Sequence, residues 1–309
     1  MIKVDLITGF LGSGKTTFLK LYARHWLGLG QRIGILENDH GAVNVDMMML
    51  RELEGESCGL DMVAGACDAD CHRRRFKTKL IAMGMSGYDR VLIEPSGVFD
   101  VDEFFDVLYE PPLDRWYEVG SVIAVVDADL EDDLSESAEY LLASQAADAG
   151  IIVLSKTQLC GADRIDKTVT HIERALRSIK CGRSVRDSVL AKAWDDLDDD
   201  DFRRIADSGY VSEGYVKRGT TDESGFSSLY YMNKPFAADE LREKAEAVLR
   251  DPACGNVFRV KGFARDGEGW VELNAAKSGV TLRPIKLGQE IVIVIGEKLS
   301  APGIDRYFG

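Results

Sequence analysis

The residues Gly9-Phe10-Leu11-Gly12-Ser13-Gly14-Lys15-Thr16 have the types and spacing of a phosphate-binding loop. In such a loop the backbone N–H groups point inward at phosphate oxygens, the lysine reaches the β- and γ-phosphates, and the final hydroxyl binds Mg²⁺. The helix that follows adds its positive N-terminal end to the same anion site. We therefore expect Gly12, Ser13, Gly14, Lys15, Thr16 and Thr17 to hold a nucleoside triphosphate, with Lys15 also acting in catalysis.

A second pattern, Val91-Leu92-Ile93-Glu94-Pro95-Ser96-Gly97, is an apolar strand that ends in an acidic residue with a glycine three positions later. In phosphate-loop nucleotidases, a carboxylate at this position holds the Mg²⁺ shell and the glycine N–H meets the γ-phosphate. Glu94 is thus predicted to share Mg²⁺ with Thr16 and to act in catalysis, and Gly97 to contact the nucleotide. The alternative is a plain strand that ends in a Pro-Ser-Gly turn.

Residue types that bind transition metals are concentrated in segments 37–46 and 65–72. They are Glu37, Asp39 and His40 in the first segment and Cys67, Asp68, Asp70, Cys71 and His72 in the second. Sulfur and imidazole donors suit Zn²⁺, with Co²⁺ or Ni²⁺ as alternatives if Glu37, Asp39 or His40 joins. The predicted ligands are Cys67, Cys71, His72 and Glu37. The alternative interpretation leaves Cys71 and His72 in the first turn of a basic helix without a metal.

These segments need a scaffold that brings distant parts of the chain together. Apolar runs predict strands at 2–7, 33–37, 90–94, 119–126 and 151–154, and helical spacing predicts helices near 15–27, 71–84, 100–109, 136–148 and 163–179. This alternation is typical of an α/β fold, a mostly parallel sheet with helices on both faces. Ligands of such sheets collect at the carboxyl ends of the strands. Gly59 and Gly65 are expected to keep the loop before Cys67 mobile.

The periodicity fades in the acidic and polar stretch 195–226, which includes the run from Asp195 to Asp201. We interpret 1–194 as a phosphate-loop NTPase domain, 195–226 as an acidic and polar linker region whose run 195–201 is a solvated linker, and 227–309 as a small C-terminal α+β domain. The last domain is predicted to hold a strand at 228–232, a helix at 238–249 and strands near 256–262, 269–274, 280–283 and 290–295.

Composition excludes several classes of partner. The 309 residues carry a formal net charge of −14, so binding to nucleic acid or to an anionic membrane is not expected. The chain has no apolar run of about 18 residues and no basic N-terminal segment followed by a long apolar stretch, and a cytoplasmic protein is therefore expected. In that compartment the six cysteines are thiols, and clustered thiols suggest a metal.

Taken in order, the motifs resemble those of the CobW-like metallochaperone GTPases, relatives of the GTPases that insert nickel into urease and hydrogenase. The matching segments are Gly-Phe-Leu-Gly-Ser-Gly-Lys-Thr-Thr at 9–17, Glu-Asn-Asp-His-Gly-Ala-Val-Asn-Val-Asp at 37–46, Ile-Glu-Pro-Ser-Gly at 93–97, Val-Val-Asp-Ala at 125–128 and Ser-Gln-Ala-Ala-Asp-Ala at 144–149. In the tail, Lys234-Pro235-Phe236, Arg259-Val260-Lys261-Gly262-Phe263 and Val294-Ile295-Gly296 also agree. The resemblance covers essentially the whole chain.

The resemblance implies slow GTP hydrolysis with Mg²⁺, coupled to delivery of a transition metal, often zinc or cobalt, to a client. It implies a client metalloprotein or a corrinoid- or cofactor-assembly protein as partner, with a homodimer as a further expectation. Asp39 is assigned to ordering the attacking water or Mg²⁺. One alternative function is a nucleotide-switched activation protein that docks on an apoenzyme or corrinoid protein without carrying metal. Another is a plain metabolic kinase.

The metal segment departs from that family. The family carries Cys-x-Cys-Cys, whereas this chain has Cys67, three intervening residues and then Cys71-His72. Cys67 lies closest to the family's ligand position, and Cys71 and His72 are supported by their chemistry. A glutamate usual in the family is replaced by Ala42, which removes one metal carboxylate.

The base-reading segment also departs. The family reads guanine with Asn-Lys-x-Asp, whereas this chain has Ser155-Lys156-Thr157-Gln158. An aspartate accepts hydrogen bonds from both guanine N1–H and N2–H₂, but the amide of Gln158 offers one acceptor and one donor. Lys156 still lies along the base plane in this prediction. We expect GTP as the first substrate with weakened preference over ATP or another purine triphosphate.

Overall fold

Strands and helices alternate through the first two thirds of the chain, as the apolar patterning predicts. The computed structural model describes residues 1–39, 46–64, 69–97, 101–212, 214, 226–267, 269–277, 279–285 and 288–309. The strands of this part are β1 Ile2–Thr8, β2 Ile33–Asp39, β3 Cys58–Ala64, β4 Arg90–Pro95, β5 Tyr117–Asp127, β6 Ile151–Ser155 and β7 Val189–Ala191. Its helices are α1 Lys15–Gly28, α2 Asp46–Leu50, α3 Ala69–Gly84, α4 Val101–Leu108, α5 Leu113–Trp116, α6 Glu136–Asp148, α7 Ala162–Ser178 and α8 Asp199–Ala206.

The seven strands form one sheet in the order β3-β2-β4-β1-β5-β6-β7, and every neighbouring pair is parallel. The predicted α/β fold is therefore confirmed. Because all strands run the same way, their carboxyl ends meet at a single edge. The chain leaving β1 enters the phosphate loop at this edge, and Glu94 lies near the end of the neighbouring strand β4.

Apolar side chains cover the sheet on both faces, which explains the continuous apolar runs of its central strands. One face packs against α3, α4, α6 and α7, with Phe76 and Phe104 fully buried. The other face packs against α1 and α8, where Phe18 and Tyr22 are fully buried.

A buried polar network ties α1 to the centre of the sheet. Asp5 of β1 accepts hydrogen bonds from Tyr22 Oη at 2.9 Å, from Arg90 Nη1 at 2.5 Å and from the Ser121 backbone N–H at 2.9 Å. The Arg90 guanidinium lies 3.9 Å from the centre of the Trp26 ring. Burial raises the pKa of Asp5, and the charge of Arg90 opposes that rise. Since each charge has its partner, the network holds α1 against β1 and β4.

Two outer strands, β3 and β7, were missed by the apolar patterning because they are short or interrupted by glycine and aspartate. The prediction that Gly59 belongs to a mobile loop is wrong. Gly59 lies in β3 directly opposite Gly34 of β2. A Cβ on Gly59 would stand 1.8 Å from Tyr88 Oη, and one on Gly34 would stand 2.8 Å from the Tyr88 ring. The two glycines make room for this aromatic ring.

The acidic run is not the solvated linker predicted for residues 195–201, because part of it is helical and packed. Asp198 caps α8, accepting hydrogen bonds from the backbone N–H groups of Asp200 and Asp201 at 3.0 Å each. The aspartates therefore satisfy the first backbone donors of a helix. Phe202 and Ile205 of α8 are buried against the α1 face of the sheet.

The chain divides into two compact units, residues 1–218 and 219–309. The second unit contains β8 Phe226–Met232, α9 Ala238–Arg250, β9 Asn256–Asp266, β10 Gly269–Ala276, β11 Gly279–Ile285, β12 Ile291–Glu297 and α10 Ala301–Phe308. Its strands form an antiparallel sheet in the order β11-β10-β9-β12-β8, so the predicted small α+β domain is confirmed. Within the described ranges, no helix combines the length and apolarity needed to cross a bilayer.

The contact between Gly59 and Tyr88 predicts a stability effect. Gly59→Ala should lower the free energy of unfolding by about 1–3 kcal/mol, because the new methyl group overlaps Tyr88 and the aromatic ring must shift to admit it. Urea denaturation followed by circular dichroism measures this. Gly55→Ala, where a Cβ meets no atom within 4 Å, is the control and should change stability far less. Equal stabilities for the two variants would contradict the proposed packing.

Candidate functional site

The phosphate loop joins β1 to α1 through three glycines that adopt left-handed backbone angles. Gly9, Gly12 and Gly14 have φ values of 146°, 77° and 98°. L-residues with a side chain rarely adopt these angles, so the motif glycines are required by the backbone path itself. A Cβ on Gly9 would also lie 2.2 Å from the Val125 carbonyl oxygen of β5. The loop thus runs tightly over the sheet edge and ends at the first turn of α1.

Lys15 folds back over the loop that precedes it. Its Nζ donates a hydrogen bond to the Gly9 carbonyl oxygen at 3.0 Å, and the residue is only 7% exposed. The ammonium group of Lys15 therefore lies across the glycine-rich loop, close to Gly9. An ammonium at that point complements the charge of a polyphosphate.

The hydroxyl of Thr16 and the carboxylate of Glu94 meet across the sheet edge. Thr16 Oγ1 donates a hydrogen bond to Glu94 Oε1 at 2.9 Å, although the two residues are 78 positions apart. In the parallel register, Glu37 of β2 stands directly beside Glu94 of β4. The two glutamates are 2% and 4% exposed. Neighbouring buried carboxylates favour a bound cation, and the hydroxyl and carboxylate oxygens are donors that suit Mg²⁺.

Gly97 reaches the phosphate loop from the opposite side. A Cβ at this position would stand 2.7 Å from the backbone nitrogen of Leu11, so only glycine permits this approach. Gln145 of α6 holds the Gly97 carbonyl oxygen with a hydrogen bond of 3.2 Å. The backbone after β4 therefore contacts the loop, as the γ-phosphate role of Gly97 requires.

Several buried hydroxyl groups at this edge match a polar ligand. Within the described ranges, five hydroxyl oxygens are buried without a hydrogen-bond partner: those of Thr8, Ser13, Ser96, Ser155 and Thr157. Ser13 lies in the phosphate loop, Thr8 and Ser155 are the last residues of β1 and β6, and Ser96 and Thr157 come just after β4 and β6. Burying such groups unpaired costs about 1–3 kcal/mol each, so their concentration here fits a site for a ligand rich in hydrogen-bonding oxygens.

The base-reading segment begins at the end of β6. Ser155 is 1% exposed, whereas Gln158 is exposed in a short 3₁₀ turn, Thr157–Leu159. Lys156 has a φ of 56°, and its Nζ forms an ion pair with Asp127 Oδ2 of β5 at 2.5 Å. The aliphatic part of Lys156 is thereby fixed at the sheet edge. In the sequence, Asp127 belongs to the Val-Val-Asp-Ala motif, and its position directly after the predicted strand 119–126 is the signal that points to a place at this edge.

The predicted transition-metal ligands are only partly described. Cys67 and His40 lie outside the described residues, as does the side chain of Asp39. Cys71 is half-buried and His72 is 1% exposed, both in α3, while Glu37 lies on β2 beside Glu94. Among the described residues, no group of three or more His, Cys, Asp or Glu side chains is placed to hold a metal ion. The described part of the chain therefore does not assemble the proposed ligand set.

Cys71 lines a cavity of about 380 Å³ together with Met62 and Val63 of β3 and Arg74 and Arg75 of α3. Cys58, in contrast, is buried, and this burial raises the pKa of its thiol to about 11. A thiol with that pKa stays protonated at neutral pH and is a poor metal ligand. Of these two cysteines, Cys71 is the better candidate.

Comparison with known proteins places this site in a family. The sequence model of the CobW/HypB/UreG nucleotide-binding domain matches residues 3–185, more than half of the chain. The chain belongs to the CobW/HypB/UreG family. This match confirms the resemblance read from the motifs, and residues 3–185 include the phosphate loop, Glu94 and the base-reading segment.

Curated relatives agree with CobW/HypB/UreG membership. "Zinc chaperone YeiR" of Escherichia coli is 29% identical over 178 residues, which cover 57% of this chain and 51% of that protein. "Zinc-regulated GTPase metalloprotein activator 1" of Dictyostelium discoideum is 26% identical, with 85% and 62% covered. The chain thus spans about half to three fifths of the length of these relatives. The zinc-bound YjiA GTPase from E. coli is 21% identical, with a TM-score of 0.41 and coverage of 99% and 98%.

Proposed function

We propose that this protein is a GTP-hydrolysing metallochaperone that works with Mg²⁺ in the cytoplasm and delivers a transition metal to a client metalloprotein. The contact between Thr16 and Glu94 carries the nucleotide part of the proposal. It brings the hydroxyl of the phosphate loop and the carboxylate of β4 together as a pair of oxygen donors that would hold Mg²⁺. The names of the curated relatives support zinc as the first metal to test.

The roles of the nucleotide-binding residues follow from their positions. Lys15 gives up its hydrogen bond to the Gly9 carbonyl oxygen and binds the β- and γ-phosphates instead. The backbone N–H groups of the glycine-rich turn donate hydrogen bonds to the phosphate oxygens. Thr16 and Glu94 would hold Mg²⁺, and the bound ion would supply positive charge that offsets the charge of the phosphoryl group. Gly97 contacts the γ-phosphate from the other side of the loop. Asp39, at the end of β2, orders the attacking water.

The metal part of the proposal depends on the order of segments along the chain. Cys67, Cys71 and His72 fall between the phosphate loop and Glu94, as does Glu37. Segments in such positions change state with the γ-phosphate in nucleotide switches. We propose that the metal is held in the triphosphate state and released to the client after hydrolysis, with Glu37 beside the Mg²⁺ site linking the two.

Removing the Glu94 charge tests the hydrolytic step. Glu94→Gln keeps the size of the side chain but removes a Mg²⁺ ligand, so Mg²⁺-dependent GTP turnover should fall about 100-fold or more. Release of inorganic phosphate measures this. Glu118→Gln, an exposed site on β5, is the matched control and should keep wild-type turnover. Full turnover in Glu94→Gln would remove Glu94 from the proposed mechanism.

Zinc titration tests the coupling between metal and nucleotide. We expect zinc to bind at least 10-fold more tightly with a non-hydrolysable GTP analogue than with GDP, because hydrolysis is proposed to release the metal. Competition with a chromogenic chelator measures both affinities. The double variant Cys67→Ser/Cys71→Ser should lose this binding, whereas Cys160→Ser should retain it.

Equal zinc affinities in the two nucleotide states would remove the coupling. Zinc binding that is absent, or unchanged in the double variant, would favour the alternative in which the protein docks on its client without carrying metal through these thiols.

Competition between GTP and ATP tests the base preference. Because Gln158 is a neutral amide, we expect wild-type preference for GTP to stay below about 100-fold, and Gln158→Asp to raise it at least 10-fold. The exposed position of Gln158 allows this change without loss of stability. The control variant Gln31→Asp adds the same negative charge at a position after α1, and it should leave the preference for GTP over ATP unchanged. A wild-type preference of several hundred-fold would overturn the idea of weakened selectivity.

A further inference from the structure

The chain that leaves β7 brings an aromatic ring to the nucleotide edge of the sheet. β7 is the neighbour of β6, so the segment after Ala191 lies next to the base-reading segment that starts at Ser155. Trp194 lies in this segment and is half-buried. Its ring centre is 5.6 Å from that of Phe18, in the first turns of α1.

Trp194 and Ser155 border the same residue of the phosphate loop. A Cβ built on Gly14 would stand 3.4 Å from Ser155 Cβ and 3.8 Å from Trp194 Cζ2. Gly14 directly precedes the lysine and threonine that meet the phosphates. The indole therefore lies beside the phosphate loop, close to the residue at which the base-reading segment begins.

The acidic run after Trp194 fixes this segment in place. Lys192 Nζ forms ion pairs with Asp198 Oδ2 at 2.9 Å and with Asp201 Oδ2 at 2.5 Å. Both aspartates also form the capping box of α8, which packs against α1 through Phe202. The segment is thus anchored on both sides of Trp194. A ring held in advance loses little conformational entropy when it meets a ligand.

We propose that Trp194 forms an aromatic wall of the base end of the site and stacks on the purine of the bound nucleotide. The inference rests on the proposed nucleotide function. Stacking on an indole does not distinguish guanine from adenine, because both bases present a flat π-face. Trp194 thereby supplies base affinity that does not depend on a carboxylate at position 158. It explains how a chain with Gln158 in the base-reading segment binds purine nucleotides with broad preference.

Calorimetry with three Mg²⁺-loaded ligands tests the inference: GTP, ATP and tripolyphosphate, which has no base. Trp194→Leu keeps an apolar side chain against Phe18 but removes the ring, so affinity for GTP and ATP should fall about 10-fold or more. Affinity for tripolyphosphate should change less than about 2-fold. Trp194→Phe should restore most of the loss, and Trp116→Leu, at a half-buried tryptophan elsewhere in the first unit, should bind all three ligands like wild type.

A parallel loss for tripolyphosphate would show that Trp194 only supports the phosphate loop, and this would overturn the inference. Unchanged GTP and ATP affinities in Trp194→Leu would overturn it too. Failure of wild type to bind any of the three ligands would overturn the proposed function itself, and the inference with it. As a second readout, GTP should quench the tryptophan fluorescence of wild type and of Trp116→Phe but not that of Trp194→Phe.

Discussion

The parallel pairing of β1 with β4 is the constraint on which the rest of the site depends. It sets the end of one strand, which opens into the phosphate loop, beside the end of the other, which carries Glu94. The hydrogen bond from Thr16 to Glu94 is a direct result. Asp5, Arg90 and Tyr22 reinforce this pairing from within, because they connect both strands to α1 through buried hydrogen bonds. Breaking that network would shift α1, whose first turn follows the phosphate loop.

The phosphate end and the base end of the site follow different physical rules. At the phosphate loop, fixed backbone angles, an ammonium group and two buried carboxylates define one arrangement of polar groups. At the base end, Lys156 is neutralised by Asp127 and Gln158 is exposed. Under the proposed function, this end of the site would bind a base more through contact area than through the directed hydrogen bonds that discriminate between bases. Belonging to the CobW/HypB/UreG family thus does not by itself determine base preference.

Much of the fold could be predicted from the sequence because its central strands are long apolar runs and its main helices have clear periodicity. The apolar runs that identify strands are shorter or interrupted in the outer strands of the sheet. β3 contains Gly59 and Asp61, and β7 has only three residues, so neither stands out from a loop. The acidic run after Trp194 resembled a linker because polar composition alone cannot distinguish a capped helix from a solvated segment. The helix in this run is stabilised because Phe202 and Ile205 pack in the same buried cluster as residues of α1.

The sequence alone determined which residue types carry the chemistry, since the phosphate loop needs glycine at left-handed backbone angles and a lysine and threonine directly after them. It also determined the neutral amide at position 158 and the order of the segments along the chain. Which of these segments touch depends on the tertiary structure. Glu37 lies beside Glu94, Lys156 pairs with Asp127, and Trp194 borders Gly14 because parallel strands far apart in sequence end at one edge. The spacing of apolar residues along the sequence indicates whether a segment is a helix or a strand. Contacts at the edge of the sheet depend on the order of the strands, and no local sequence pattern specifies that order.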